Sequence, residues 1–199
     1  TKTTSLGTTS GDTTHFDIID KWGNMVAATP SGGWLQSSPI IPELGFCLSN
    51  RAQMFWLEEN SPASLAPGKR PRTTLSPSLA LKEGKPYMVF GTPGGDQQDQ
   101  WSLHLFLRHV HFNLNLQEAI DAPGFNTAHF PNSFYPRETD IGSLFVEARF
   151  PEKTIKELIS KGHNVVVEDE WSLGRMTAAS KEGDILKAAA NPRFMQGYA

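Results

Sequence analysis

Residues 77–111 constrain the fold more than any other stretch, because three local signals follow one another there without a gap. Pro77-Ser78-Leu79-Ala80-Leu81 and Tyr87-Met88-Val89-Phe90 are β-prone runs joined by Lys82-Glu83-Gly84-Lys85, the pattern of a tight hairpin. The second run passes directly into Gly91-Thr92-Pro93-Gly94-Gly95. Leu103, Leu107 and Val110 then recur at i, i+4 and i+7 with Trp101 and Phe106 beside them, which predicts a helix over 96–111.

The rest of the chain repeats the hairpin theme. Phe16, Ile18 and Ile19 alternate roughly with Asp17 and Asp20, Lys21-Trp22-Gly23-Asn24 makes a turn, and Met25-Val26-Ala27-Ala28 follows. A further strand is predicted over 44–48, and Pro62, Pro67, Gly68 and Pro71 mark 57–71 as a loop. A short helix over 117–121 stops at Pro123. A second, over 151–161, opens on Pro151, aligns Ile155, Leu158 and Ile159, and ends at Gly162. Residues 165–167 and 176–179 read as late strands. Hairpins outnumber βαβ alternation, so the expected class is α+β with antiparallel sheets.

Composition bounds the function. The 199 residues suit one domain, and a hydrophobic share of 38% with 20% charged residues excludes wholesale disorder. A net charge of -3 argues against a nucleic-acid partner, and no apolar run is long enough to span a membrane. Cys47, the only cysteine, leaves the compartment undecided. His109 and His111 project about 200° apart on a helix, and there is no HExxH, so no metal and no cofactor is expected. Residues 1–12, rich in Thr, Ser and Gly without periodicity, read as a flexible leader or the tail of a preceding subunit; they lack the apolar core of a secretory signal. Residues 13–199 form the single expected domain.

Two places offer chemistry. At Gly91–Gly95 the glycines allow a sharp turn with exposed N–H groups, and the following helix adds positive potential, a setting for a phosphate, a carboxylate or an oxyanion. A plain tight turn fits the same residues. Thr13 begins the first strand, where it serves as an ordinary β-former or, if the leader is cut away, as a nucleophile whose own α-amine is the base. The basic run Lys69-Arg70-Pro71-Arg72 suits a solvated loop or a carboxylate anchor.

Taken in order, Thr13-Thr14-His15, Asp20-Lys21-x-Gly23-Asn24, Lys69-Arg70-Pro71, Ser76-Pro77, Gly91-x-Pro93-Gly94-Gly95 and Asn191-Pro192-Arg193 resemble the small subunit of the γ-glutamyltransferase family of N-terminal nucleophile hydrolases, in its cephalosporin-acylase-like branch. The resemblance implies a four-layer αββα sandwich of which this chain supplies about half. It also implies a larger N-terminal subunit cut from the same precursor, and a small-molecule amide substrate. Thr13 is then the nucleophile freed by self-cleavage of the Asp12–Thr13 bond, and Gly94 and Gly95 supply oxyanion N–H groups. Ser31 stands where the family has a second Thr that bonds the nucleophile, and Thr73 and Thr74 stand at the paired hydroxyls that hold a substrate carboxylate. Nucleophilic Thr1, after an earlier cut, lacks the surrounding motif.

The departures from the family pattern bear on substrate. Gly33, followed by Trp34, replaces an Asn of the pocket, and the acidic residue that would hold an α-ammonium is replaced by Met54. Arg51 adds a cation nearby, and 57–68 is short for the family's lid. A pocket that loses a carboxylate and gains a guanidinium favours an acyl group bearing a second carboxylate, such as glutaryl. True γ-glutamyl transfer or glutathione hydrolysis, with the larger subunit, Asp96 or Glu58 supplying the carboxylate, and a catalytically dead binding subunit remain the alternatives.

Overall fold

The computed structural model describes residues 13–33, 38–193 and 199. The leader 1–12, Thr1 within it, and Trp34 lie outside the described residues. The centre of the molecule is the antiparallel sheet β11-β10-β6-β5, built from β5 (Ser78–Lys82), β6 (Lys85–Gly91), β10 (Thr177–Glu182) and β11 (Ile185–Ala190). The hairpin predicted at 77–90 is therefore its β5–β6 edge. Glu83 and Gly84 turn it with φ of 53° and 76°.

Side chains alternate along β6, and each face buries a different partner. Met88 and Phe90 point to one face with Ala178 of β10 and Met176 just before that strand. There they meet Trp101 and Leu105 of α1 (Gln98–Val110) and Leu116, Ala119 and Ile120 of α2 (Leu116–Asp121). Asn115 caps α2 with a reciprocal capping box to Glu118, which fixes where that helix starts. The opposite face, at Gly91 and Thr177, receives the hairpin of β1 (Phe16–Ile19) and β2 (Met25–Ala28) through His15 and Asp17. Helices, sheet and hairpin are three successive layers.

Two expectations change. Residues 44–48 form only β4 (Phe46–Cys47), paired with β3 (Ile40–Ile41). Within the expected α+β class one strand pair is parallel, because β8 (Asp140–Glu147), α3 (Glu152–Ser160) and β9 (Asn164–Glu168) make a βαβ unit. β7 (Phe125–Ala128) pairs antiparallel with the other edge of β8. β8 escaped the sequence reading because Asp140, Gly142 and Ser143 interrupt its apolar pattern.

Candidate active site

Thr13 stands at the mouth of β1, and the strand's pleat sends Thr13, His15 and Asp17 to the same side. Thr13 Oγ1 lies 2.7 Å from Ser31 Oγ, and Arg51 Nη2 donates to that same Ser31 oxygen at 2.7 Å. With the guanidinium occupying one lone pair, the Ser31 hydroxyl can donate its proton to Thr13 Oγ1 and hold that oxygen in place. Arg51 opens a 3₁₀ turn at Arg51–Met54, and its guanidinium lies over the Phe134 ring at 5.9 Å. Gly32 permits this approach, since a Cβ there would fall 2.5 Å from Arg51 Nε, and its φ of 91° suits glycine. The Asn50 amide bonds the Gly32 carbonyl at 2.6 Å and ties the two segments together.

The glycine turn is built on a ring. Gly94 has φ 141°, and a Cβ on it would lie 2.3 Å from Trp101 Cζ3; Gly95 follows at φ 70°. Two successive residues in backbone regions that L side chains avoid explain the Gly-Gly pair without reference to any ligand. The turn continues through the short 3₁₀ segment Gly95–Gln97 into α1. Thr92 fastens it from behind: its hydroxyl donates to the Pro93 carbonyl at 2.6 Å and accepts the Arg175 amide at 3.0 Å.

Thr13, Ser31 and Arg51 thus bond directly, whereas the other sequence-derived site residues are placed by their own local contacts. Gly33 is exposed, and a Cβ there would touch the Cys47 carbonyl at 3.0 Å. Thr73 is exposed and its hydroxyl accepts the Leu75 amide at 3.0 Å, while Thr74 is buried. Met54 is fully buried. Asp96 accepts the Ser133 amide at 2.9 Å and the Ser133 hydroxyl, with Arg72 at 3.6 Å, so its carboxylate tethers the 132–137 segment. Arg137 extends that tether to the carbonyls of Ser133, Gln53 and Phe55.

Sequence reasoning passed over a buried polar chain. His15 and Asp17 are almost wholly inaccessible, bonded Nε2 to Oδ1 at 2.9 Å; His15 Nδ1 meets Thr29 Oγ1 at 2.7 Å, and Thr177 donates to Asp17 Oδ2 at 2.6 Å. The available signal was polar residues at alternate positions 13, 15 and 17, on the face of a strand that turns inward. His104, stacked on Phe125, is pushed down to about 4 by burial and by Arg108. His109 bonds the Leu114 carbonyl at 2.8 Å and stacks on Tyr87, an ordinary structural role.

Known proteins resemble this chain in sequence and fold. The family model described as gamma-glutamyltranspeptidase matches residues 2–199. A solved structure of LmbA2991T421A is 58% identical, with a TM-score of 0.87, over 96% of this chain and 34% of that one. The glutathione hydrolase-like YwrD proenzyme of Bacillus subtilis (strain 168) is 34% identical over 186 residues, 92% of this chain and 34% of the relative. A cephalosporin acylase from Bacillus halodurans aligns with 29% identity and a TM-score of 0.67, over 80% of this chain and 28% of that one. The chain spans about a third of the length of the curated relatives it matches. Its mixed architecture is that of the Ntn-hydrolase αββα sandwich seen in solved relatives. The chain belongs to the γ-glutamyltranspeptidase family of Ntn hydrolases, which includes cephalosporin-acylase relatives.

Proposed function

We propose that this chain is the nucleophile-bearing part of an amide hydrolase or acyltransferase, and that Thr13 attacks once the Asp12–Thr13 bond of a longer precursor has been cleaved. The observation that carries this reading is the Thr13–Ser31–Arg51 hydrogen-bonded row. The freed α-amine takes the Thr13 hydroxyl proton, directly or through a water, and Oγ1 adds to the amide carbonyl. The oxyanion is stabilised by N–H groups of the Gly94-Gly95 turn. Collapse breaks the C–N bond, the ammonium returns the proton to the leaving amine, and an ester on Thr13 remains for water or an acceptor amine. Ser31 orients the nucleophile throughout.

A partner follows from the same reading. Phe16, Ile18 and Val26 are exposed on the hairpin layer, away from the sheet. The larger N-terminal subunit of the precursor would cover this apolar face and complete the sandwich.

For the acyl group the observations favour a second carboxylate over an α-ammonium. Arg51 stands one hydroxyl away from Thr13, Met54 is buried, and Asp96 is committed to Ser133. A guanidinium matches a carboxylate bidentately, with Thr73 and Thr74 as further hydroxyl donors. Comparing kcat/KM for a glutaryl and a γ-glutamyl chromogenic amide tests the assignment. The glutaryl compound should be preferred by about 10- to 100-fold, the worth of a charge-assisted hydrogen bond, and Arg51→Gln should erase the preference. Preference for the γ-glutamyl compound would return the site to γ-glutamyl transfer.

A further inference from the structure

We infer that the buried His15–Asp17–Thr177 chain is a positioning device that sets the distance between the Thr13 and Ser31 hydroxyls. This rests on the nucleophile reading above. His15 and Asp17 follow Thr13 on one strand face, while Thr29, bonded to His15 Nδ1, precedes Ser31 by two residues. The imidazole therefore bridges the two segments that deliver the reacting hydroxyl and its partner. Asp17 accepts from His15 Nε2 with one oxygen and from the Thr177 hydroxyl with the other, which fixes the ring's plane and leaves Nδ1 facing Thr29.

The anchor at the far end is the central sheet. Thr177 of β10 lies directly opposite Gly91 of β6 in the antiparallel register. A Cβ on Gly91 would fall 2.3 Å from His15 Cε1 and under 3 Å from both ring nitrogens, so the absent side chain is the imidazole's seat. Gly91 is also the last residue of β6 before the Gly94-Gly95 turn. One chain of buried bonds thus references Thr13, Ser31 and the root of the glycine turn to the same pair of strands. A misplacement of about 1 Å at such a site can cost ~100-fold in rate.

Thr177→Val keeps the shape and removes the donor, whereas Thr177→Ser keeps the donor. In enzyme processed from the full precursor, assayed with the chromogenic glutaryl amide, the valine variant should lose ~10-fold or more in kcat with KM changed by less than about two-fold. The serine variant should recover at least half of the parental kcat. Gly91→Ala, which evicts the imidazole from its seat, should reproduce the valine phenotype. A valine variant with parental kcat, or valine and serine variants impaired alike, would overturn the inference. Its failure is separable from that of the nucleophile reading: parental enzyme that turns over without forming an ester on Thr13 removes the latter, whichever way the Thr177 variants behave.

Discussion

Two polar networks of this molecule differ in exposure: one is closed around a buried carboxylate, and the other is open to solvent at Thr13 and Ser31. Glu147, fully buried at the end of β8, accepts the amides of Gly124 at 2.9 Å and Leu173 at 3.0 Å. Arg193 adds Nε at 2.9 Å, and Arg149 adds Nη2 at 2.5 Å. The arginines spend other donors on carbonyls, Arg193 on Ile120 and Arg149 on Asp121, and both lie over the Trp171 ring. Asn191 donates to the Met176 carbonyl and accepts the Arg193 amide, which gives Asn191-Pro192-Arg193 an architectural role. At Thr13 the row instead joins two partly accessible hydroxyls. A carboxylate whose lone pairs are all engaged holds elements together, whereas a hydroxyl that solvent reaches can meet a substrate.

Breaking the closed network should have the largest effect. Glu147→Gln leaves the buried Arg193 guanidinium and the partly buried Arg149 guanidinium without their counter-charge and should cost ~3–5 kcal/mol in chemical denaturation. Burial alone would push the Glu147 carboxyl up, but Arg193 and the Gly124 and Leu173 amides outweigh it and hold the carboxyl below its usual range. Its contribution is therefore complete above the ordinary glutamate value of about 4.3 and is lost as pH falls through the lowered one. Parental stability should decline with acid in that window, and the Gln variant should not show this part of the decline.

The glycine turn comes next. Gly94→Pro demands φ near −65° where the chain holds 141° over Trp101, so it should displace the turn and lower turnover by ~10²–10³, the loss typical of one oxyanion donor. Melting temperature should fall far less than for Glu147→Gln. Equal stability losses in the two variants, with activity following stability, would erase the distinction between the networks.

The smallest effect concerns coupling within the open row. Ser31→Ala and Arg51→Gln share one oxygen, so their effects on kcat/KM should not add. A double-mutant cycle should return a coupling of ~0.5–3 kcal/mol. Strict additivity would mean that the two side chains act independently.

These contrasts also show what the chain's residues reveal unaided. The β5–β6 hairpin, the glycine turn and α1 were legible because alternation, glycine and the 3.6-residue period act locally. Thr13, Ser31 and Arg51 were each singled out, yet that they share one hydrogen-bonded row depends on a strand, a turn and a 3₁₀ segment folding together. β8 and its parallel partner β9 went unseen or half-seen, since a buried Glu147 reads as a surface charge until its two arginines are found. Asp96 looked available for a substrate ammonium, and only tertiary structure commits it to Ser133. His15 and Asp17 were quoted for their neighbours, and their own function emerges only from the seat at Gly91 and the bond to Thr177.

The most direct test of the central claim is mass spectrometry on the full-length precursor after processing, quenched during turnover of the glutaryl amide. A fragment beginning Thr-Thr-His-Phe with the acyl ester on Thr13 is the predicted result, and Thr13→Ala should stay uncut and inactive. Turnover by a chain whose Asp12–Thr13 bond is intact, or an acyl group on any other residue, would contradict it.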